Sequence, residues 1–174
     1  MARFLILFIL IQGVLFGLEL TPPAQQWLIQ PFTSLLAVLS SGIIELLGRD
    51  VLSVGVVIWD RATGFGVEIA AGCNGVEAMI LLLAAILAFP GATWRYRLSG
   101  LAIGFVAIQG LNLVRIVSLF YLGLWNETAF EWAHLYVWQA LIMLDALIVF
   151  LVWVRRMPRS GQPAGGAGQV QPAS

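Results

Sequence analysis

Three residues whose side chains can carry out nucleophilic chemistry stand out in an otherwise apolar chain. Cys73 is the only cysteine, His134 is the only histidine, and Arg115 lies inside the apolar run LNLVRIVSLFYL. A thiolate is a nucleophile, an imidazole exchanges protons near neutral pH, and a guanidinium stabilises negative charge. If the fold brings the three groups together, these residue types predict covalent catalysis by cysteine.

Each of the three residues also has a structural interpretation. A lone cysteine is usually a small hydrophobe, and a histidine at a membrane boundary is usually an interfacial polar residue. An arginine at the centre of a span costs about 2.5–3.5 kcal/mol, so Arg115 is expected to have a partner, such as Glu77 or Asp145, or to extend toward the outer surface. The positions of the three residues in the fold must decide between these interpretations.

The elements that position these residues are predicted to be membrane helices. The chain is 60% hydrophobic and 10% charged, whereas a soluble domain is roughly a quarter charged. The charged residues, nine basic and nine acidic, give no net charge, which argues against a nucleic-acid partner.

Four segments are apolar enough to cross a bilayer, which takes about 20 helical residues: 4–20, 75–91, 99–122 and 135–154. No small-residue cleavage site follows the first segment, which is therefore expected to be a retained anchor.

The arginines predict how the chain is oriented. With four spans, one side of the membrane receives Arg3, Arg95, Arg97, Arg155, Arg156 and Arg159. The other side receives Arg49 and Arg61 among several acidic residues. The positive-inside rule then places both termini in the cytoplasm.

Residues 21–74 are expected outside the membrane. In segment 32–48, Ser34, Ser41, Glu45 and Gly48 form a polar stripe, which predicts an amphipathic helix on the exoplasmic surface rather than a fifth span. Segments 51–59 and 65–72, joined by DRATG, predict a β-hairpin that leads to Cys73.

The expected fold class is therefore an all-α integral membrane protein. It has about four transmembrane helices, an exoplasmic amphipathic helix and a short β-hairpin before the second span. Residues 1–157 form the membrane-embedded domain, and residues 158–174, which lack apolar periodicity, form a disordered cytoplasmic tail.

This topology places the three chemical groups on one side of the membrane. Cys73 begins a span that runs inward, Arg115 lies in the outer third of a span that runs outward, and His134 begins the next inward span. The beginning of a helix lowers a thiol pKa, and the first-turn N–H groups from Asn74 to Glu77 can hold an oxyanion. Gly72 and Gly75 allow a substrate carbonyl to approach the backbone.

Three further polar residues are expected to support the site. Asn112 lies one helical turn inward of Arg115, where it can orient the guanidinium. Asp145 is eleven residues after His134, within about 20° of the same helix face, and can pair with Asn112. Glu77 is either a buried acid paired with Arg115 or a surface group. The alternative for Asn112 and Asp145 is a bond between helices that stabilises the bundle.

Taken together, the motif GCNGVEA before a span, NLVR in the next span and a histidine that opens the last resemble the exosortase/archaeosortase family over roughly residues 50–157. These are multi-pass membrane cysteine transpeptidases. The resemblance implies that Cys73 is the nucleophile, Arg115 the positive stabiliser and His134 the acid/base. The chain is shorter than the many members with eight spans and resembles the small subgroup called exosortase H.

The resemblance also implies the location, substrate and partners. The location is the inner membrane of a bacterium, with the active site at the periplasmic side. The substrate is the C-terminal sorting signal of an exported protein, made of a short motif, a transmembrane helix and a basic cluster. After cleavage, the protein is transferred to a cell-surface acceptor whose identity the sequence does not give.

Two other classes of function compete with this one. A non-enzymatic assembly or transporter subunit would use Arg115 as a purely structural intramembrane charge. A metal or haem protein is disfavoured because one histidine and one cysteine are too few ligands. We therefore expect neither a cofactor nor a metal.

Overall fold

The computed structural model describes residues 2–157, so the predicted tail 158–174 lies outside the described residues. The described chain contains these helices: α1 (Ala2–Glu19), α2 (Pro22–Ala24), α3 (Gln30–Leu46), α4 (Val76–Ala88), α5 (Trp94–Trp125), α6 (Glu127–Trp132) and α7 (Trp138–Arg155). Its strands are β1 (Val51–Val54), β2 (Val57–Asp60) and β3 (Gly66–Glu68). One π-helical turn, Gln25–Ile29, joins α2 to α3, and another, Ala133–Val137, joins α6 to α7.

Four helical stretches among residues 2–157 are long and apolar enough to span a membrane: Ala2–Glu19, Pro22–Leu46, Trp94–Trp125 and Glu127–Arg155. The expected class, an all-α multi-pass membrane protein, is confirmed. The set of helices differs from the prediction, however. The predicted second span is the short helix α4, whose 13 residues rise about 20 Å.

Segment 32–48, predicted to lie on the membrane surface, belongs instead to a helical stretch, Pro22–Leu46, that is long and apolar enough to span a membrane. Thr33, Ser40 and Ser41 are buried, whereas Leu35 and the neighbouring Val38 and Leu39 are exposed. The Thr33 and Ser41 hydroxyls donate hydrogen bonds to backbone carbonyls within the helix. A helix with apolar residues outside and hydroxyls inside suits a lipid environment, although Glu45 and Gly48, two members of the predicted stripe, are exposed.

Helices α1 and α4 run antiparallel and define two ends of the bundle. Phe4 packs edge-on against Phe89 with the ring centroids 6.0 Å apart, and at the opposite end Glu19 lies near Glu77. The chain between Glu19 and Glu77 therefore leaves from and returns to the same end. In that stretch α3 packs beside α5, where the Phe32 and Phe105 ring centroids are 6.3 Å apart.

The end that carries Phe4 and Phe89 is held by arginine and aromatic side chains, and we call it the arginine end. Arg97 donates hydrogen bonds from Nη1 to Leu87 O at 3.0 Å and from Nη2 to Phe89 O at 2.9 Å. These bonds satisfy carbonyls at the C-terminus of α4, where a positive charge is also favourable. Tyr96 stacks on Trp153 of α7 at 5.2 Å, so the chain termini of the described bundle lie at this end.

Glycines let the central helix α5 approach its neighbours. A Cβ on Gly100 would collide with the Trp153 indole, and one on Gly104 would collide with Leu82 of α4. Small residues allow such close packing in membrane helices. This packing fixes the position of α5, and with it the position of Arg115.

At the other end, the chain forms an antiparallel sheet in the order β1-β2-β3. The sequence predicts two arms, but the first arm is itself a hairpin, in which Val54 pairs with Val57. Gly55 has φ +60°, a left-handed conformation that glycine tolerates, and it turns the chain there. The sheet packs on α3 through a core that includes Ile44, Val51 and Ile58.

Candidate active site

The structure brings Cys73, Arg115 and His134 together at the end of the bundle opposite the arginine end. Cys73 Sγ lies 2.8 Å from His134 Nε2, although 61 residues separate them in the chain. Arg115 Nη2 donates to Cys73 Sγ at 3.4 Å across 42 residues. The thiol is therefore in hydrogen-bonding distance of both a proton acceptor and a cation.

The three groups share a small cavity. Its volume is about 20 Å³, roughly the room for one water molecule. It is lined by Val67, Glu68, Ile69, Cys73, Arg115, Ile116, Leu119, Phe130 and His134. Apart from the three site residues and Glu68, this lining is apolar, and Cys73 and His134 are themselves partly exposed.

Arg115 is buried with most of its donors unused. The residue is 1% exposed, and its Nε and Nη1 atoms have no hydrogen-bond partner among residues 2–157. Unpaired buried donors are costly, so they require an explanation. They belong to the same planar guanidinium as Nη2, which contacts Cys73 Sγ, so a negative charge that develops beside the sulfur can accept them.

The loop before α4 holds Cys73 in place. The Cys73 N–H donates to Ala70 O at 3.0 Å. The buried Asn74 donates from Nδ2 to Thr33 Oγ1 at 3.1 Å, and its Oδ1 accepts from the Val76 N–H at 3.0 Å. Asn74 therefore ties the loop to α3 and caps α4, which is a positioning role.

Gly75 is required by the same loop. Its φ is +74°, and a Cβ at this position would lie 2.9 Å from Gln109 Nε2 and 3.5 Å from Asn112 Cγ. A side chain here would both strain the backbone and push the loop away from α5. Gly75 allows close packing, which places Cys73 near Arg115.

The expectation that first-turn N–H groups hold an oxyanion is only partly compatible with these contacts. The Val76 N–H already donates to Asn74 Oδ1, so that donor is occupied. The unused Arg115 donors are the better candidates because they belong to the guanidinium that contacts the sulfur and have no partner among residues 2–157.

The three supporting residues make none of the predicted contacts. Among residues 2–157, the hydrogen bonds and ion pairs include neither Asn112 nor Glu77 with Arg115, nor Asn112 with Asp145. Asn112 Nδ2 instead faces Gln109 Oε1 at 3.5 Å. The Glu77 carboxylate lies against Gly72, with both oxygens 3.4 Å from where a Cβ would be. Asp145 has a buried Oδ2 without a partner in the described chain.

Residues that sequence reasoning missed complete the surroundings. Gln109 lies on the same side of α5 as Asn112 and Arg115, at a spacing of three and six residues, and its Nε2 is buried without a partner among the described residues. Polar residues repeated at helical spacing within an apolar span predict a buried polar face, and this pattern includes Gln109. The ring centroid of Phe130 is 5.6 Å from that of His134. Neither Phe130 nor Thr33 belongs to a sequence pattern that would have predicted its place near the site.

His134 lies within the π-helical turn Ala133–Val137. A π-helical turn widens the helix locally and recurs at functional sites. Here it occurs at the junction of α6 and α7, where the imidazole turns toward Cys73. This local irregularity is not apparent in the sequence AHLYV.

Besides the helix N-terminus, which favours a thiolate, burial and two neighbouring charges act on the pKa of Cys73. Burial raises the pKa of Cys73, the Arg115 guanidinium lowers it, and the Glu77 carboxylate raises it again, so that the result lies above the ordinary cysteine value. The resting residue is therefore a thiol rather than a thiolate. His134 is the adjacent group that can accept its proton.

This electrostatic balance predicts the pH dependence of thiol alkylation. In detergent, the rate of iodoacetamide labelling should rise with pH with an inflection above that of free N-acetylcysteine. Glu77→Gln removes a negative charge beside the sulfur, so its inflection should move to lower pH. Glu45→Gln, which changes an exposed residue on α3, is the matched control and should leave the inflection in place. A wild-type inflection below that of the free amino acid would contradict this assignment.

Comparison with known proteins adds one finding. The family model described as transmembrane exosortase matches residues 2–153 of this chain. That match includes all three residues of the candidate site. No curated protein and no solved structure matches the chain.

Proposed function

This chain belongs to the transmembrane exosortase family, and from that membership we propose that it is a membrane cysteine transpeptidase that uses Cys73 as its nucleophile. Its substrate is the C-terminal sorting signal of exported proteins. The single observation that carries the residue assignment is the 2.8 Å approach of Cys73 Sγ to His134 Nε2, with Arg115 Nη2 at 3.4 Å on the same sulfur.

Acylation begins with proton transfer. Since the Cys73 pKa lies above its ordinary value, His134 Nε2 takes the thiol proton as the sulfur attacks the scissile carbonyl carbon. The carbonyl oxygen becomes an oxyanion, which accepts hydrogen bonds from the free Nε–H and Nη1–H of Arg115. His134 then gives its proton to the leaving amine, the C–N bond breaks, and the substrate remains as a thioester on Cys73.

Deacylation reverses the same proton path. An amine of the acceptor, or water, attacks the thioester carbonyl while His134 takes its proton. Arg115 again stabilises the oxyanion, the C–S bond breaks, and the sulfur recovers a proton from His134. The largely apolar cavity lining favours this exchange because it strengthens the electrostatic interactions inside the site.

Arginine placement supports an orientation for this multi-pass protein. Arg3, Arg97 and Arg155 belong to helix termini at the arginine end, which by the positive-inside rule faces the cytoplasm. Both termini are then cytoplasmic, and Cys73 is at the periplasmic side of a bacterial inner membrane. A sorting signal with its own membrane helix and basic cluster inserts in the same orientation and presents its extended motif on the Cys73 side.

The defining intermediate provides the experiment. Purified chain and a reporter protein that ends in an extended segment, an apolar helix and an arginine cluster are mixed in detergent and quenched with acid after short times. We expect an adduct whose mass is the chain plus the reporter without its C-terminal fragment. Neutral hydroxylamine should release it, and Cys73→Ala should not form it. Cleavage without any adduct in wild type at any time point, at a rate that Cys73→Ala matches, would overturn the proposal.

A further inference from the structure

Strand β3 has one open edge. It pairs only with β2 in the sheet, with Ile58 opposite Val67. The Ile69 N–H donates to Val56 O and the Asp60 N–H donates to Phe65 O. Because backbone groups of an antiparallel strand alternate in direction, the N–H and C=O groups of the intervening Gly66 and Glu68 point away from β2.

This open edge is continuous with the candidate site. Val67, Glu68 and Ile69 line the same small cavity as Cys73, Arg115 and His134. The Ala70 carbonyl, next along the edge, accepts the Cys73 N–H. The unused backbone groups therefore lead directly to the nucleophile.

Gly66 contributes no side chain to this edge. The Trp59 indole lies over Gly66 so closely that a Cβ there would be 2.6 Å from its ring. Val67 and Ile69 point into the core. The groups that a ligand meets along this edge are consequently backbone amides and the exposed Glu68 side chain.

We propose that an extended peptide, the segment of the substrate that precedes its membrane helix, pairs with β3 as a fourth strand. This inference rests on the proposed function and deepens it by naming the surface that holds the substrate. Strand addition supplies main-chain hydrogen bonds without requiring one particular side-chain sequence. It places a substrate carbonyl beside Cys73, where the buried, unpartnered Nε and Nη1 of Arg115 await an acceptor in the described chain.

Proline substitution tests the edge selectively. In Glu68→Pro the outward N–H is lost and the ring obstructs an added strand, whereas the bonds of Val67 and Ile69 to β2 remain. Glu68→Ala removes the same side chain but keeps the N–H, so the difference between the two variants measures the backbone contribution. We expect Glu68→Pro to cleave the reporter at least about tenfold more slowly than Glu68→Ala, since both a hydrogen bond and space are lost.

The opposite edge of the sheet provides the matched control. By the same alternation, the Ser53 N–H points away from β2, because the carbonyl of Asp50, immediately before β1, accepts the Arg61 N–H. Ser53→Pro therefore introduces the same residue at an equivalent edge position far from the cavity lining. It should cleave the reporter at the wild-type rate and should melt in detergent at the same temperature as Glu68→Pro.

A second measurement varies the substrate instead of the enzyme. Proline placed at successive positions of the reporter's extended segment should slow cleavage at alternate positions, because only every second N–H of an added strand faces β3. Equal rates for Glu68→Pro and Glu68→Ala, together with no alternation in the reporter, would overturn strand addition. If cleavage still requires Cys73 in that case, the proposed function stands and only the edge proposal fails.

Discussion

Replacing Cys73 by alanine should abolish cleavage of the reporter, with a fall of at least about a thousandfold. The reason is chemical: Cys73 carries the sulfur that His134 and Arg115 both contact. The lining of the cavity offers no hydroxyl or second thiol as a substitute. Cleavage is measured by immunoblot of the reporter in cells that express each variant, and by initial rates with purified chain.

The matched variant for this prediction is Cys73→Ser. Serine keeps the size and polarity of the side chain, but its hydroxyl is far less acidic than a thiol and forms a poorer nucleophile. We expect it to accumulate in the membrane like wild type and to cleave as poorly as Cys73→Ala. Wild-type cleavage in cells that express Cys73→Ser or Cys73→Ala, with no cleavage by any purified chain, would favour the alternative, a non-enzymatic membrane subunit.

Arg115→Met should lower the rate of cleavage about a hundred- to a thousandfold, the usual effect of removing an oxyanion donor. Methionine has a comparable length and no charge. The ion pairs among residues 2–157 are Arg49 with Asp60 and Arg61 with Asp50, so Arg115 has no carboxylate partner in the described chain. Burying a guanidinium without a partner is costly, and replacing it with an apolar side chain is often neutral or stabilising.

Stability separates the catalytic from the structural role of this residue. If Arg115 acts on the substrate, Arg115→Met melts in detergent at the wild-type temperature or above it while cleavage falls. Its Cys73 alkylation inflection should also move to higher pH, because the guanidinium lowers the thiol pKa. Arg115→Lys keeps the charge but loses the planar set of donors, so we expect the thiol inflection to be retained better than the cleavage rate. Loss of protein level with normal specific activity of the remainder would identify a structural charge instead.

The sequence was sufficient to predict the class of fold and that the three reactive residues share one end of the bundle. Hydropathy and arginine placement predict where each membrane helix begins and ends. The positions of Cys73, Arg115 and His134 relative to these helix termini place all three at the same end of the bundle. These predictions depend on periodicity and length, which are local properties. The family resemblance drawn from the same residues is confirmed by the match over residues 2–153.

The sequence was insufficient where the outcome depends on what surrounds a helix. A polar stripe on α3 predicts a surface helix if water lies beside it, but Ser41 of this stripe is buried, and the nearby Thr33 is bonded to the buried Asn74. Similarly, the contacts expected of Glu77, Asn112 and Asp145 depend on helix rotation, which helical spacing alone leaves open by tens of degrees. The hairpin at Gly55 was missed because glycine is compatible with both a strand and a turn.

The length of α4 has a consequence for which proteins can be processed. Arg97 holds the C-terminus of α4 at the arginine end. The 13 residues of α4 span about 20 Å, which is some 10 Å less than the hydrocarbon thickness of a typical bilayer. Under the proposed function, with the arginine end at the cytoplasmic boundary of the hydrocarbon layer, the thiol lies below the opposite boundary, where freely diffusing polypeptides do not reach it. A peptide tethered to its own membrane helix is delivered to that depth. The length of α4 therefore selects anchored proteins and determines where they are cut.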